Sequence, residues 1–224
     1  DLDVRKDLTL VLHQERHEGA MRIRRRQQLC CEQIEFTATR DHIPDFCAVT
    51  LGLTVPDLPV LLWLRDPQLL LDPALGPVLP LARPLLLDSA QFVDAGAGLA
   101  ELGRRRAAGW RIKDLAWSRL TGWRETIAQM FETRACRAAL PKIDRIEVKG
   151  RFGAPGTDVQ YLAAWLSHRL PEAASGATGS GVQRIRLLAG GQRMEVTDAG
   201  EALVATRLDG QTTRIPDRAR SDAN

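Results

Sequence analysis

The chain has 224 residues, of which 44% are hydrophobic, so it can form one large domain or two small ones with a buried core. Its 31 basic and 28 acidic residues give a formal net charge of +3, without the strongly basic bias typical of proteins that bind nucleic acid. No apolar run reaches the roughly 18 residues needed to span a bilayer, and the N-terminus has no signal-peptide pattern. These features predict a folded cytoplasmic protein whose partners include neither nucleic acid nor membrane.

Strands and helices alternate in the first part of the sequence, and strands dominate the last part. Apolar and β-branched runs predict strands at residues 8–12, 33–39, 60–64, 84–87, 145–149, 183–188, 194–197 and 202–208. Helical patterns occur at residues 45–53, 98–108, 113–132 and 158–170. The runs 60–64 and 84–87 are apolar throughout, as expected of strands covered by helices on both faces. We therefore predict an α/β fold, with a mixed sheet between helices followed by a smaller, strand-rich α/β subdomain.

A boundary is expected around Leu140-Pro-Lys-Ile-Asp144, where the long predicted helix has ended and a new strand-helix-strand series begins. This places an α/β domain with the tryptophan-bearing helix at residues 1–140 and a β-α-β-meander subdomain at residues 141–216. Within the second domain, the small and polar segment 172–181 predicts a flexible loop. The charged segment 217–224 predicts a disordered tail.

No motif identifies a catalytic, cofactor-binding or metal-binding residue. The four cysteines contain no CxxC pair and the histidines are scattered, so reduced and mostly buried thiols are favoured over a zinc site. Gly96 and Gly98 do not complete a GxGxxG fingerprint and favour a helix-capping turn over a phosphate site. GxSxG, HExxH and P-loop motifs do not occur, so we predict that the protein is not an enzyme.

Two charged features lie outside the tryptophan-bearing helix. Asp88 follows the predicted buried strand 84–87, at the end of a strand where open α/β sheets place ligand-facing residues. It could orient a ligand, but capping of the next backbone N–H groups is the favoured interpretation. The basic run Arg22-Ile-Arg-Arg-Arg26 could bind an anionic partner, and here a solvated face is favoured.

The helix predicted at 113–132 has one broad apolar arc when its residues are projected at about 100° per residue. Trp117 and Ala128 extend the edge of this arc, and Asp114 is expected in the first helical turn, where a negative charge suits the helix dipole. The arc itself consists of Ala116, Leu120, Trp123, Ile127, Met130 and Phe131.

Arg124 is the exception to this pattern, because the projection places its charge inside the apolar arc between Trp117 and Phe131. A guanidinium there requires a partner or an interface, since an unpaired buried charge would cost several kcal/mol. We favour an ion pair with Asp88 over contact with a partner protein, and we expect Trp123 to belong to the core.

These residues resemble a known family. Asp114-Leu-Ala-Trp-Ser-Arg-Leu-Thr-Gly-Trp-Arg-Glu125 is similar to the most characteristic motif of the OpcA family, the glucose-6-phosphate dehydrogenase assembly proteins of cyanobacteria and actinobacteria. Further segments resemble the family in the same order: Leu29-Cys-Cys-Glu-Gln-Ile-Glu35, Val55-Pro-Asp-Leu-Pro-Val-Leu-Leu-Trp63, Leu85-Leu-Leu-Asp-Ser-Ala-Gln-Phe92, Ala139-Leu-Pro-Lys-Ile-Asp-Arg-Ile146 and Leu162-Ala-Ala-Trp-Leu-Ser-His-Arg169. The departures include Gly122, where the family often has proline or alanine.

The resemblance implies a non-catalytic protein, without cofactors, that binds glucose-6-phosphate dehydrogenase. It would act as an assembly factor or allosteric activator, promoting oligomerisation or activity of the enzyme in the oxidative pentose phosphate pathway. The alternative is an α/β enzyme, or a protein that binds a nucleotide or sugar phosphate, with its site at the strand end near Asp88. The candidates for partner binding, or for a structural role in the motifs, are Asp88, Asp114, Trp117, Arg119, Trp123 and Arg124.

Overall fold

The computed structural model describes residues 8–15, 31–38, 45, 48–50, 52, 60–81 and 84–216, with the side chains of 8–15, 31–38 and 81 left out of the description. It divides the chain into two compact units, residues 1–115 (unit 1) and 116–224 (unit 2). The helical backbone at residues 45, 48–50 and 52 lies inside the predicted helix 45–53. The basic run Arg22–Arg26 and the predicted disordered tail lie outside the described residues.

Unit 1 contains a five-stranded mixed sheet with the order β2-β1-β3-β4-β5. Strand β1 runs antiparallel to both β2 and β3, whereas β3, β4 and β5 are parallel to one another. Their leucines form the centre of the core, and Leu62, Leu64, Leu85 and Leu87 have no exposed surface. The strands are β1 (Leu8–Glu15), β2 (Cys31–Ala38), β3 (Val60–Leu64), β4 (Leu85–Leu87) and β5 (Ile112–Asp114).

Among the described residues that follow β3, the connections of unit 1 are short 3-10 helices and an α-helix. Pro67–Leu71, Pro73–Leu75 and Leu79–Leu81 lie between β3 and β4, and Ser89–Gln91 follows β4. Helix α1 (Ala95–Ala107) precedes β5 and begins after Asp94, whose carboxylate accepts a hydrogen bond from the Ala97 N–H at 3.0 Å. Gly96 and Gly98 therefore lie in a capped first helical turn, as predicted.

Unit 2 contains a six-stranded sheet with the order β11-β10-β9-β8-β6-β7, in which only the β6–β7 pair is parallel. Its strands are β6 (Ile143–Phe152), β7 (Ala174–Thr178), β8 (Ser180–Ala189), β9 (Gln192–Asp198), β10 (Ala202–Thr206) and β11 (Thr212–Pro216). Its helices are α2 (Leu115–Arg119), which begins at the last residue of unit 1, α3 (Thr121–Met130), α4 (Arg134–Ala139) and α5 (Thr157–Arg169). No helix in the described part of the chain is long and apolar enough to cross a membrane.

The α/β class and the late antiparallel meander are confirmed. The predicted flexible loop at 172–181 is wrong, because residues Ala174–Thr178 form β7 and pair in parallel with β6. Pairing with a neighbouring strand overrides the weak local preference of a small, polar segment. Among the cysteines, Cys136 is free and buried, in agreement with the predicted state of the thiols.

The observed division between the units lies at Leu115/Ala116, whereas the sequence placed it near residue 140. The difference arises because the tryptophan-bearing helix packs on the later strands: α3 contacts β9 and β10. Its buried residues Trp123 and Ile127 belong to the same core cluster as Ile146 of β6. The segment 116–140 is therefore part of the second unit.

Candidate functional site

Asp88 and Asp114 lie at the carboxyl ends of adjacent parallel strands, where Leu87 of β4 is in register with Asp114 of β5. Oδ1 of Asp114 accepts a hydrogen bond from the Ser89 N–H at 3.1 Å, and Oδ1 of Asp88 accepts one from the Ala90 N–H at 3.1 Å. Both carboxylates thus bind backbone groups of the turn after β4. The capping interpretation of Asp88 is confirmed.

Asp114 is the last residue of β5 and not part of a helical first turn, which corrects its predicted position. Pairing with β4 extends the strand through Asp114, and α2 begins at the next residue. The carboxylate therefore fixes the turn after the neighbouring strand, in addition to preceding a helix.

The first turn of helix α1, which contains Gly96 and Gly98, is closely packed. A Cβ atom added at Gly98 would overlap the ring of Phe92, so glycine is needed there for the ring to lie against α1. Together with the engagement of Asp88 and Asp114, this packing favours a structural role over a nucleotide or sugar-phosphate site. Within the described residues no group of three or more His, Cys, Asp or Glu side chains could hold a metal ion.

The tryptophan-bearing segment forms two short helices, α2 and α3, which meet at Leu120 (φ −85°, ψ 4°). The predicted single helix is therefore divided, although most of its predicted faces are correct. Ala116, Leu120, Trp123, Ile127 and Met130 are buried, and Phe131 is half-buried.

Two positions of this segment differ from the projection. Ala128 is exposed, not at an apolar edge, and Thr126, which the pattern did not mark as part of the core, has no exposed surface. Trp123 is only 6% exposed and belongs to the core cluster of unit 2, as predicted.

Trp117, Tyr161 and Arg124 form a stack at the half-buried edge of this core. The guanidinium carbon of Arg124 lies 3.9 Å from the centroid of the Trp117 ring, and the Tyr161 ring meets Trp117 edge-on with centroids 5.5 Å apart. Nη2 of Arg124 also donates a hydrogen bond to Thr121 Oγ1 at 2.8 Å, and Nε donates a long one to the Leu120 carbonyl at 3.4 Å. We call Trp117, Tyr161 and Arg124 the Trp/Arg stack.

Partial burial lowers the pKa of Arg124, and the nearby charge of Glu125 acts in the opposite direction. An arginine with a lowered pKa is still cationic at neutral pH. Within unit 2, this charge is therefore accommodated by an aromatic face, a hydroxyl and a carbonyl of its own helical segment, a solution that the sequence reasoning missed. Helical spacing does not identify this contact, because neighbouring side chains on a regular helix are three or four residues apart, and Trp117 and Arg124 meet across the break at Leu120.

The other candidate residues, Asp88, Asp114 and Arg119, are not members of the Trp/Arg stack. Arg119, the last residue of α2, has an exposed side chain. Asp88 and Asp114 belong to unit 1, and Arg124 belongs to unit 2. The ion pair proposed from the sequence between Arg124 and Asp88 stays a prediction.

Two family sequence models match the chain in succession. The model for the glucose-6-phosphate dehydrogenase subunit N-terminal domain matches residues 8–104, and that for the C-terminal domain of the same subunit matches residues 110–223. The chain belongs to the OpcA family. The two matches meet close to the division between unit 1 and unit 2, so each OpcA family domain corresponds to one compact unit.

Cyanobacterial proteins are similar to this OpcA family chain. It is 30% identical over 145 residues to a protein of Nostoc punctiforme, and 29% identical over 142 residues to one of Synechocystis. Each carries the name OxPP cycle protein OpcA, with that assignment marked as provisional. Each match covers 63% of this chain and 30% of the relative, so the chain spans under a third of the relatives' length by these alignments.

Proposed function

We propose that this chain is a non-catalytic assembly factor or allosteric activator that binds glucose-6-phosphate dehydrogenase. It would promote oligomerisation or activity of the enzyme in the oxidative pentose phosphate pathway, in the cytoplasm. The observation that supports the proposal is the match of both units to domains described as belonging to a glucose-6-phosphate dehydrogenase subunit. The names of the cyanobacterial relatives agree with the same pathway.

The Trp/Arg stack is the surface that we propose for contact with the dehydrogenase. Tryptophan, tyrosine and arginine are the residues most enriched among those that dominate binding energy at protein interfaces. Trp117 and Arg124 are half-buried, so part of each side chain is accessible while the rest is held in place by the protein. The bonds from Arg124 to Thr121 and Leu120 order the guanidinium before binding, which reduces the entropy lost when a partner is bound.

The charge of Arg124 predicts the character of the partner surface. A planar, cationic guanidinium stacked on an indole is suited to a carboxylate that approaches from the open side. We therefore expect the dehydrogenase to present an aspartate or glutamate, together with apolar surface that covers the exposed part of Trp117.

The proposal is tested by titrating the purified chain into its cognate dehydrogenase while the enzyme's oligomer size and activity are measured. We expect either the oligomer size or the activity to increase, and an absence of both changes would contradict the proposed function. ATP, NADP and sugar phosphates added to the chain alone should leave its melting temperature unchanged. A clear increase would instead favour the enzyme or ligand-binding alternative.

The proposed location is tested separately with Arg124→Met and a matched control, Arg193→Met. Arg193 is an exposed arginine on β9, outside the stack. We expect Arg124→Met to weaken binding by about 2 kcal/mol or more and Arg193→Met to change it by less than about 0.5 kcal/mol. Equal affinities of the two variants would exclude the stack as the docking site, even if the chain still bound the enzyme.

A further inference from the structure

A cavity of about 140 Å³ lies between helix α3 and strands β10 and β11 in unit 2. Exposed residues of α3 and β11 contribute to its lining, so the cavity is open to solvent on one side. It is lined by Thr126, Gln129, Met130, Glu132, Ala205, Arg207, Thr213 and Ile215.

Two lining residues contain buried polar atoms without a hydrogen-bond partner. These are Oγ1 of Thr126, in a residue with no exposed surface, and Nε of Arg207. Across the described part of the chain, four buried side-chain atoms have no partner, and two of the four belong to residues of this one cavity. Native structures tolerate few such atoms, because each has lost its hydrogen bonds to water and gained nothing in return.

The unpartnered hydroxyl and guanidinium N–H are buried atoms of residues that line the cavity, so a small rotation of the Thr126 and Arg207 side chains would present both donors to a ligand that supplies acceptors. We propose that this cavity binds a small monocarboxylate. Nε of Arg207, with the neighbouring Nη group, presents the fork of donors that matches two carboxylate oxygens, and the Thr126 hydroxyl is a further donor. The Gln129 amide and the Thr213 hydroxyl lie on the same lining and add polar groups.

The other lining residues define the rest of the ligand. Met130, Ala205 and Ile215 provide apolar surface for a short hydrocarbon body. Glu132 is exposed and disfavours a second negative charge, which distinguishes a monocarboxylate from phosphate or a dicarboxylate. A cavity of roughly 150 Å³ is known to accept benzene, which has six heavy atoms, so a four-carbon monocarboxylate, also with six heavy atoms, fits the volume.

This site does not rest on the proposed binding of the dehydrogenase. A ligand held by Thr126 of α3 and by Arg207, next to β10, would connect the tryptophan-bearing helix to the edge of the sheet. A ligand in this cavity would explain why Thr126, a polar residue, is buried on an otherwise apolar face of α3 with no hydrogen-bond partner for its hydroxyl.

The test uses the full chain and sodium butyrate as the probe, with butyramide as the uncharged analogue of the same shape. The Nε–H signal of Arg207 is followed in a proton–nitrogen NMR correlation spectrum during each titration. We expect a saturable shift of this signal with butyrate at a Kd below about 10 mM, and a melting temperature raised by about 3 °C or more at roughly tenfold excess over Kd. Butyramide should produce neither change.

Two variants and their controls distinguish recognition by these side chains from general effects of the anion. Thr126→Val keeps the shape of the side chain but removes the unpartnered hydroxyl, so the free protein should be at least as stable while butyrate affinity decreases about tenfold. Arg207→Lys should abolish saturable binding, because the planar fork is lost. Thr212→Val and Arg214→Lys, both exposed on β11 and outside the cavity lining, should bind like the wild-type chain.

Several outcomes would overturn the proposal. These are a linear shift without saturation, equal binding of butyrate and butyramide, unchanged affinity in Thr126→Val, and tighter binding of inorganic phosphate than of butyrate. The first outcome would indicate a cavity filled by water only, and the last would indicate a different class of anion.

Discussion

At the level of single residues, the chain shows how a charge on a mostly apolar helix face can be accommodated by an aromatic ring and uncharged oxygens of its own unit. Arg124 lies over the Trp117 ring and donates to two oxygens of its own segment, while part of its side chain remains in contact with solvent. A cation–π contact of this kind contributes about 0.5–1 kcal/mol when exposed and about 2 kcal/mol when desolvated. That is sufficient for a half-buried guanidinium, whereas a fully buried one would require a carboxylate.

Replacing Arg124 by methionine should therefore have a small effect on folding and a large one on binding. We expect the free energy of unfolding, measured by urea denaturation, to change by less than about 1 kcal/mol, because methionine can pack on the indole face. Arg124→Lys should also reduce affinity for the dehydrogenase, since it retains the charge but loses the planar fork. A loss of about 3 kcal/mol of stability that is largely recovered on adding Asp88→Asn would instead establish the internal ion pair.

The two tryptophans of the motif should respond differently to truncation. Trp123 is 6% exposed within the core, so Trp123→Ala should lower the free energy of unfolding by roughly 3–5 kcal/mol. Trp117→Ala removes a half-buried ring and should cost less stability, but it should weaken binding by about 2 kcal/mol or more. Denaturation and binding measurements on both variants check this assignment, which a normally folded Trp123→Ala protein without affinity for the dehydrogenase would reverse.

At the level of elements, hydrophobic patterning predicted the strands that carry apolar runs and failed for those that do not. All eight predicted strands overlap observed strands, including β4 with its three leucines, because an apolar run is visible in the local sequence. Strand β5, with three residues, was assigned to a helix, and β7 was assigned to a loop. Such segments owe their conformation to pairing with β4 and β6, and this information is not contained in their local sequence.

The same distinction applies to the candidate site. The core position of Trp123 could be predicted, since it follows from helical spacing alone. The partners of Arg124 and the burial of Thr126 could not, because they depend on the break at Leu120 and on which strands cover the helix. The role of Asp88 was predicted correctly from its position before a turn, which is a local feature.

Substitutions at two glycines of α1 can separate the effect of side-chain packing on protein stability from the effect of helix propensity. Gly98→Ala gains helix propensity of about 1 kcal/mol, but the new Cβ would overlap the Phe92 ring, so we expect a net loss of stability. Gly103→Ala is the matched control in the same helix, with nothing within 4 Å of the added Cβ, and should stabilise the protein by about 0.5–1 kcal/mol. Thermal denaturation distinguishes the two, and stabilisation by Gly98→Ala would show that Phe92 moves without cost.

At the level of the whole molecule, the division into two units could not be recognised from composition because there is no linker at the boundary. Strand β5 ends at Asp114 and α2 begins at Leu115, so the chain passes from one unit to the next without a Pro-, Gly- or Ser-rich segment. Each unit nevertheless has its own core cluster, and each is matched by its own family model. A domain with a separate core is expected to unfold as a separate cooperative unit.

This expectation can be tested with one core leucine from each unit, both without exposed surface: Leu62 of β3 and Leu162 of α5. Truncation of either to alanine should cost about 2–5 kcal/mol of local stability, since it removes buried methyl groups and leaves a cavity. In amide hydrogen exchange followed by mass spectrometry, Leu162→Ala should accelerate exchange in β6 and β8 and leave β3 and β4 unchanged within about 0.5 kcal/mol. Leu62→Ala should show the reverse pattern. If either substitution accelerated exchange equally in both units, the chain would unfold as one cooperative body, and the two family domains would not be independent in stability.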